Sequence, residues 1–214
     1  MISGNSNLAI GNGCAKIFPE EVGLFAGLKK FDEPSFQQLH DILPAGRVAV
    51  IFSAKHLEIP SYWKLKNSVE GLQMIFTGLQ KPLLNREAKI TRLNKQHTPQ
   101  MIALASLTHP GPFSKRTIEF GNYFGIFVDD NLIAMAGQRL HPGKYVEISA
   151  VCTHPDYTGN GYAKCLINNL VYKIMSKSDI PILHARADNA HAIDLYKHLG
   201  FSLSGEMNIK VIQK

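Results

Sequence analysis

Six residues, Thr158-Gly159-Asn160-Gly161-Tyr162-Ala163, separate a strand-like segment ending at Thr153 from a long amphipathic helical pattern. Such a junction makes an anion site. The first N–H groups of a helix have no acceptor inside it, and the helix dipole is positive at that end. Glycines let a phosphate approach the backbone because no Cβ stands in the way. Two familiar phosphate patterns do not fit. The Gly-Lys-Ser/Thr ending of a nucleotide P-loop is missing, and Lys164 stands where a dinucleotide fingerprint needs its third glycine. Asp179 has roughly the acidic spacing of that fingerprint, but it precedes the next strand. The chain after residue 188 is also too short to complete a doubly wound sheet.

Two longer stretches carry a more specific signal. Residues 146–163 (VEISAVCTHPDYTGNGYA) resemble the acetyl-CoA signature of the GNAT N-acetyltransferase superfamily: a strand, a His-Pro turn, then a glycine loop opening a helix. Residues 189–201 (NAHAIDLYKHLGF) resemble that superfamily's second motif, Asn-x-x-Ala-x-x-Leu-Tyr-x-x-x-Gly-Phe. The two occur in the right order and at the right separation. One position departs from the pattern, since Thr158 stands where Arg or Gln is usual, and its hydroxyl is expected to stand in.

The resemblance implies a fold and a reaction. The fold is the α/β (α+β) acyl-CoA N-acyltransferase fold, a mixed, mostly antiparallel central sheet flanked by helices. The reaction is acetyl transfer from acetyl-CoA to an unidentified primary amine by direct attack. Val151, Cys152 and Thr153 would pair with the pantetheine amides, and the N–H groups of Thr158, Gly159, Asn160, Gly161, Tyr162 and Ala163 would hold the pyrophosphate. Asn189 would contact the coenzyme near its thioester. Tyr196 would protonate the departing thiolate, and a phenol of pKa about 10 is protonated for that task at neutral pH. Glu147, near the start of its strand, would take the amine's proton, unless ordered water does so. Cys152 reads as a buried apolar thiol and not as a nucleophile, because no His or carboxylate partner accompanies it. A coenzyme-binding regulatory protein with a degenerate, non-catalytic site is the alternative.

The elements that must position these residues follow from periodicity. Residues 1–85 read as a small α+β unit and 86–214 as the acetyltransferase domain, with a weakly structured join near 81–88. In the first unit Asp32 caps a helix carrying Phe36, Leu39 and Leu43, stopped at residues 44–46. Strands are expected over 47–54 and 72–77. This unit has no glycine loop of its own, and the resemblance to two-domain relatives such as glycine acyltransferases suggests a degenerate copy that helps enclose the acceptor. In the second unit strands are expected over 88–93, 122–128, 132–139, 146–153, 182–187 and from Phe201 to Ile212. Helices are expected from Thr98, from the glycine loop, and from a cap at Asp188 or Asn189 to Gly200. Two prolines and a glycine force His109-Pro-Gly-Pro-Phe113 out of helix, a stiff loop expected to wall the acceptor side with Arg116 and Glu119 behind it.

Composition excludes other classes. The 214 residues carry 23 Lys+Arg against 17 Asp+Glu, a net charge of +6. At 45% hydrophobic and 19% charged residues the chain is globular and not disordered. No apolar run reaches the roughly 20 residues that span a bilayer, and no secretory leader is evident at the start, so no membrane partner is expected. Three cysteines without Cys-x-x-Cys spacing, and nine scattered histidines, give no metal site. They point to a reducing, cytoplasmic setting. Basic and aromatic residues do not interleave as a nucleic-acid platform requires, so the charge suits a coenzyme bearing phosphates instead. A monomer or homodimer is expected.

Overall fold

The computed structural model describes residues 3–82 and 89–214. Strands β1 (Ala15–Ile17) and β2 (Ala26–Leu28) form a small antiparallel ribbon before helix α1 (Glu33–Ile42). Strands β3 (Val48–Ser53), β4 (Lys64–Phe76) and β5 (Thr91–Arg92) follow, then helix α2 (Thr98–Thr108). Strands β6 (Tyr123–Val128), β7 (Asn131–Gln138) and β8 (Tyr145–Thr153) lead into helix α3 (Tyr162–Met175). Strand β9 (Ile180–Arg186), helix α4 (Ala190–His198) and strand β10 (Phe201–Gln213) complete the chain.

Among the described residues one eight-stranded sheet dominates, in the order β3-β10-β4-β9-β8-β7-β6-β5. All its neighbours are antiparallel except β8 and β9. This is the mixed, mostly antiparallel sheet flanked by helices that the motifs imply. The last strand lies between β3 and β4, so the beginning and the end of the chain share one sheet. The expected boundary at 85/86, and most of the expected join, fall on residues 83–88, outside the described residues.

Local chemistry explains the element ends. Asp32 accepts a hydrogen bond from the Ser35 N–H at 3.1 Å, and Pro34 occupies the first turn of α1, where its missing N–H costs nothing. The β6–β7 turn is made by Asp129 and Asp130, both left-handed at φ +46° and +60°, the geometry that matches strand twist. Gly200 ends α4 at φ +91°. In α3 the side chains of Leu166, Ile167, Leu170, Val171 and Ile174 are fully buried against the sheet. Each contributes about 1.5–3 kcal/mol of apolar burial. On the other face Met101, Leu104 and Ala105 of α2 pack with Met135, Ala150 and Cys152.

The β1–β2 ribbon has no expected counterpart, and two of the expected strands differ most in extent. β4 begins at Lys64, well before the expected Leu72, because its first half is polar and exposed and is held as strand by pairing with β10. β5 is two residues long where a strand over 88–93 was expected, and Ala88 itself lies outside the described residues. Among the described residues no helix is long and apolar enough to cross a membrane.

Candidate active site

Strands β8 and β9 pair in parallel from Tyr145↔Ile180 to Ile148↔Leu183 and then part. Ser149, Ala150 and Val151 on one side and His184, Ala185 and Arg186 on the other line a cavity of about 460 Å³ in the gap. A β-bulge shapes this edge. Between Met135↔Cys152 and Gly137↔Ser149, Ala150 and Val151 together oppose a single residue of β7, and Ala150 is left-handed at φ +51°. A non-glycine residue held there costs about 1–3 kcal/mol, and the bulge bends β8 away from its neighbour. Val151 lines the cavity, whereas Cys152 turns into the core beneath α2. Burial pushes the Cys152 thiol up to about 11, the state of an inert thiol.

β8 leads directly to the glycine loop. Gly159 and Gly161 are left-handed at φ +81° and +74°, and a Cβ at either would meet nothing within 4 Å. Backbone conformation therefore dictates glycine here, and the space above the loop stays open. No side chain caps α3, and the N–H groups of Gly159 to Lys164 find no backbone acceptor among the described residues. Side-chain hydrogen bonds brace the loop. The Asn160 side chain donates to the Tyr157 and Thr158 carbonyls at 3.1 and 3.3 Å, and the Thr158 hydroxyl donates to the Pro155 carbonyl at 3.0 Å. Thr158 is thus engaged within the turn, its N–H also donating to the Pro155 carbonyl at 3.3 Å. A row of N–H groups at an uncapped helix start fits the pyrophosphate of a coenzyme. Gly161→Ala should cost about 1 kcal/mol of stability from its φ alone. It should also weaken acetyl-CoA binding by about tenfold or more, equivalent to about 1.4 kcal/mol. Thermal melts and titration calorimetry on the same variant check both effects.

Asn189 and Tyr196 line the cavity from α4. Asn189 is the helix cap, its side-chain oxygen accepting from the Ala192 N–H at 3.1 Å, which leaves its amide N–H groups for other partners. Tyr196 is half-buried and packs edge-on against Phe201 at 6.2 Å between ring centres. Burial pushes its phenol up to about 12, so it stays protonated well beyond neutral pH. The His109 to Pro112 stretch lines the cavity from the end of α2, as expected. Phe113 instead packs on Tyr123, and Arg116 is bound by Glu119.

Glu147 is placed otherwise than expected. It is fully buried and does not line the cavity. Its carboxylate accepts from Arg139 Nε at 2.8 Å, Arg139 Nη2, the Leu140 N–H at 3.3 Å and His184 Nδ1 at 2.6 Å. Burial alone would raise its pKa, but the Arg139 charge and hydrogen bonds, with those of His184, hold it well below the usual carboxylate range. A carboxylate offers about four acceptor positions, and all four are occupied. Glu147 is thus a poor proton acceptor in this arrangement.

The residues it holds are the ones that sequence reasoning missed. With Nδ1 donating to a carboxylate, His184 Nε2 is the acceptor and receives the Gln73 amide N–H at 3.1 Å. Arg139 is stacked on Phe25 and Phe52 at 4.6 and 5.7 Å from their ring centres. Arg139 and His184 both reach the cavity wall. Arg139 and Glu147 flank one turn, and a cross-strand pair of opposite charges is a local signal that finds them. His184 lies 37 residues from Glu147, and no local pattern connects the two.

The comparisons with known proteins agree with this geometry. A family model described as FR47-like protein matches residues 123–209, from β6 into β10. No curated protein matches the sequence. A solved structure from Novosphingobium aromaticivorans, assigned to the GNAT family, is 30% identical at a TM-score of 0.90, covering 99% of this chain and 93% of that one. A GCN5-related N-acetyltransferase from Kribbella flavida shares the fold at 13% identity and a TM-score of 0.64, over 96% of this chain and 88% of that one. A GNAT-family acetyltransferase from Colwellia psychrerythraea does so at 15% identity and a TM-score of 0.55, over 95% and 82%. With parted strands, an open glycine loop and a whole-length relative at 30% identity, the chain belongs to the GNAT family of acetyltransferases.

Proposed function

We propose that this chain transfers the acetyl group of acetyl-CoA to a primary amine by direct attack. The observation that carries the reading is the parting of β8 and β9 beside Tyr196, with the uncapped glycine loop at the end of β8. Bound acetyl-CoA supplies an activated acyl carbon. The N–H groups of residues 159–163 hold its pyrophosphate, the edge of β8 that β9 leaves unpaired at residues 151–153 pairs with its amides, and Asn189 contacts it near the thioester. Tyr196 Oη gives its proton to the departing sulfur, which a phenol kept neutral by burial is suited to do. Glu147 serves by fixing His184 and Arg139 in the cavity wall, and His184 Nε2 is the nearer candidate to receive the amine's proton once Gln73 yields it. Phe25, Val50, Phe52 and Val69 come from the first 85 residues, which on this reading complete the acceptor side.

Release of free thiol from acetyl-CoA on addition of primary amines, with mass spectrometry of the acetylated product, tests the reading. Amine-dependent release supports it. The saturated Glu147 carboxylate favours a second reading, a coenzyme-binding protein without turnover. Acetyl-CoA binding with no amine-dependent release across the panel would select that one.

A further inference from the structure

We infer that the acceptor is a small primary amine carried on an apolar body with no second ammonium group, which rests on a floor built by β3, β10 and β4. This deepens the acetyl-transfer reading and rests on it. The strand registers align Phe52, Ile209 and Val69 in one cross-strand row and Val50, Val211 and Asn67 in the next. Residues two apart on a strand share a face, so these six side chains form one surface. All six line the same cavity as Tyr196, Val151 and Asn189, so the floor is continuous with the place where the acyl group is to be transferred. Ile209, Val211 and Val69 remain partly exposed there, apolar area that an occupant would cover.

Charge narrows the occupant. Among the described residues no Asp or Glu lines the cavity, whereas Arg139 and Arg186 do. The carboxylates bonded to these arginines are engaged: Glu147 by four donors, and Asp188 by Arg186 at 2.6 Å. A second ammonium group on the acceptor would meet guanidinium groups already paired and no cavity-lining carboxylate to bond it. Taking an unpaired ammonium out of water is costly, while covering methylene groups is favourable. The floor therefore selects mono-amines with alkyl or aryl bodies and rejects polyamines.

The test uses ethylamine, butylamine, hexylamine and 1,6-diaminohexane with the full chain. Thiol release from acetyl-CoA gives kcat/KM, and calorimetry gives amine binding to the chain saturated with CoA. On the proposal kcat/KM rises about fourfold for each methylene added. The diamine falls about tenfold or more below hexylamine, its equal in length. Asn67→Asp, nearly isosteric at an exposed position, should narrow that gap, and Val69→Asp should do so from the neighbouring row. Thiol release that is flat along the series, or favours the diamine, overturns the floor and leaves acetyl transfer standing. Tighter binding of hexylamine than of ethylamine or the diamine, without thiol release, supports the floor and overturns acetyl transfer. Absence of both binding and release overturns both.

Discussion

Tyr196→Phe is expected to lower kcat for acetyl transfer by about 10²–10⁴-fold while acetyl-CoA affinity stays essentially unchanged. The substitution removes one oxygen and no ring volume, so contact with Phe201 is kept and no cavity forms. What disappears is the proton that Oη would give to the leaving sulfur. A residue that merely filled the core would behave differently, since Phe would then serve as well as Tyr and turnover would hold. The pH profile adds a second readout. A phenol pushed up to about 12 does not ionise in the ordinary tyrosine range, so its ionisation should produce no loss of rate near pH 10. Steady-state kinetics across pH, beside a coenzyme titration of the variant, checks both statements.

The largest stability effect is expected at Glu147. In Glu147→Gln the Arg139 guanidinium stays buried between Phe25, Phe52 and an uncharged amide. Removing one partner of a buried ion pair costs about 3–5 kcal/mol. For a chain of this size that lowers Tm by roughly 6–20 °C. The sign with pH follows from the direction of the Glu147 shift. Its pKa is depressed in the fold, so its contribution is complete above the unfolded value of about 4.3 and is lost as pH falls through the folded one. The variant should therefore lose most relative to the parent near neutral pH and least in strong acid. Melts followed by circular dichroism over that range measure it. A neutral-pH Tm within a few degrees of the parent would mean that the network contributes little. The double change Arg139→Met with Glu147→Leu should recover much of the loss, because paired apolar replacements avoid the unpaired charge.

How much of this was legible in the sequence depended on the range of the interaction. The α3 face was legible because Leu166, Leu170 and Ile174 repeat at helical spacing and face one core. The turn at Asp129 and Asp130, the Asp32 cap and the stop at Gly200 were legible because a single residue type solves each local problem. The glycine loop and the Tyr196 motif were legible for the same reason, as compact runs. The polar half of β4 was not, since residues 64–70 carry no alternation and are strand because β10 lies beside them. His184 and Gln73 escaped notice because they meet through adjacent strands 111 residues apart. Glu147 was found as a residue, but its saturation by Arg139 and His184 is a tertiary fact that no local pattern carries. The apolar floor is likewise invisible along the chain, since Val69 and Ile209 meet through strand pairing alone.

Calorimetric titration of acetyl-CoA into the full chain tests the central claim most directly, because every proposed role depends on the coenzyme seating in the parted strands. Saturable binding at one site is expected, with Kd on the order of micromolar to hundreds of micromolar, the range usual for enzyme substrates. Gly161→Ala should weaken that binding, and Tyr196→Phe should leave it intact. No heat of binding up to about millimolar acetyl-CoA, the top of that range, would contradict the account.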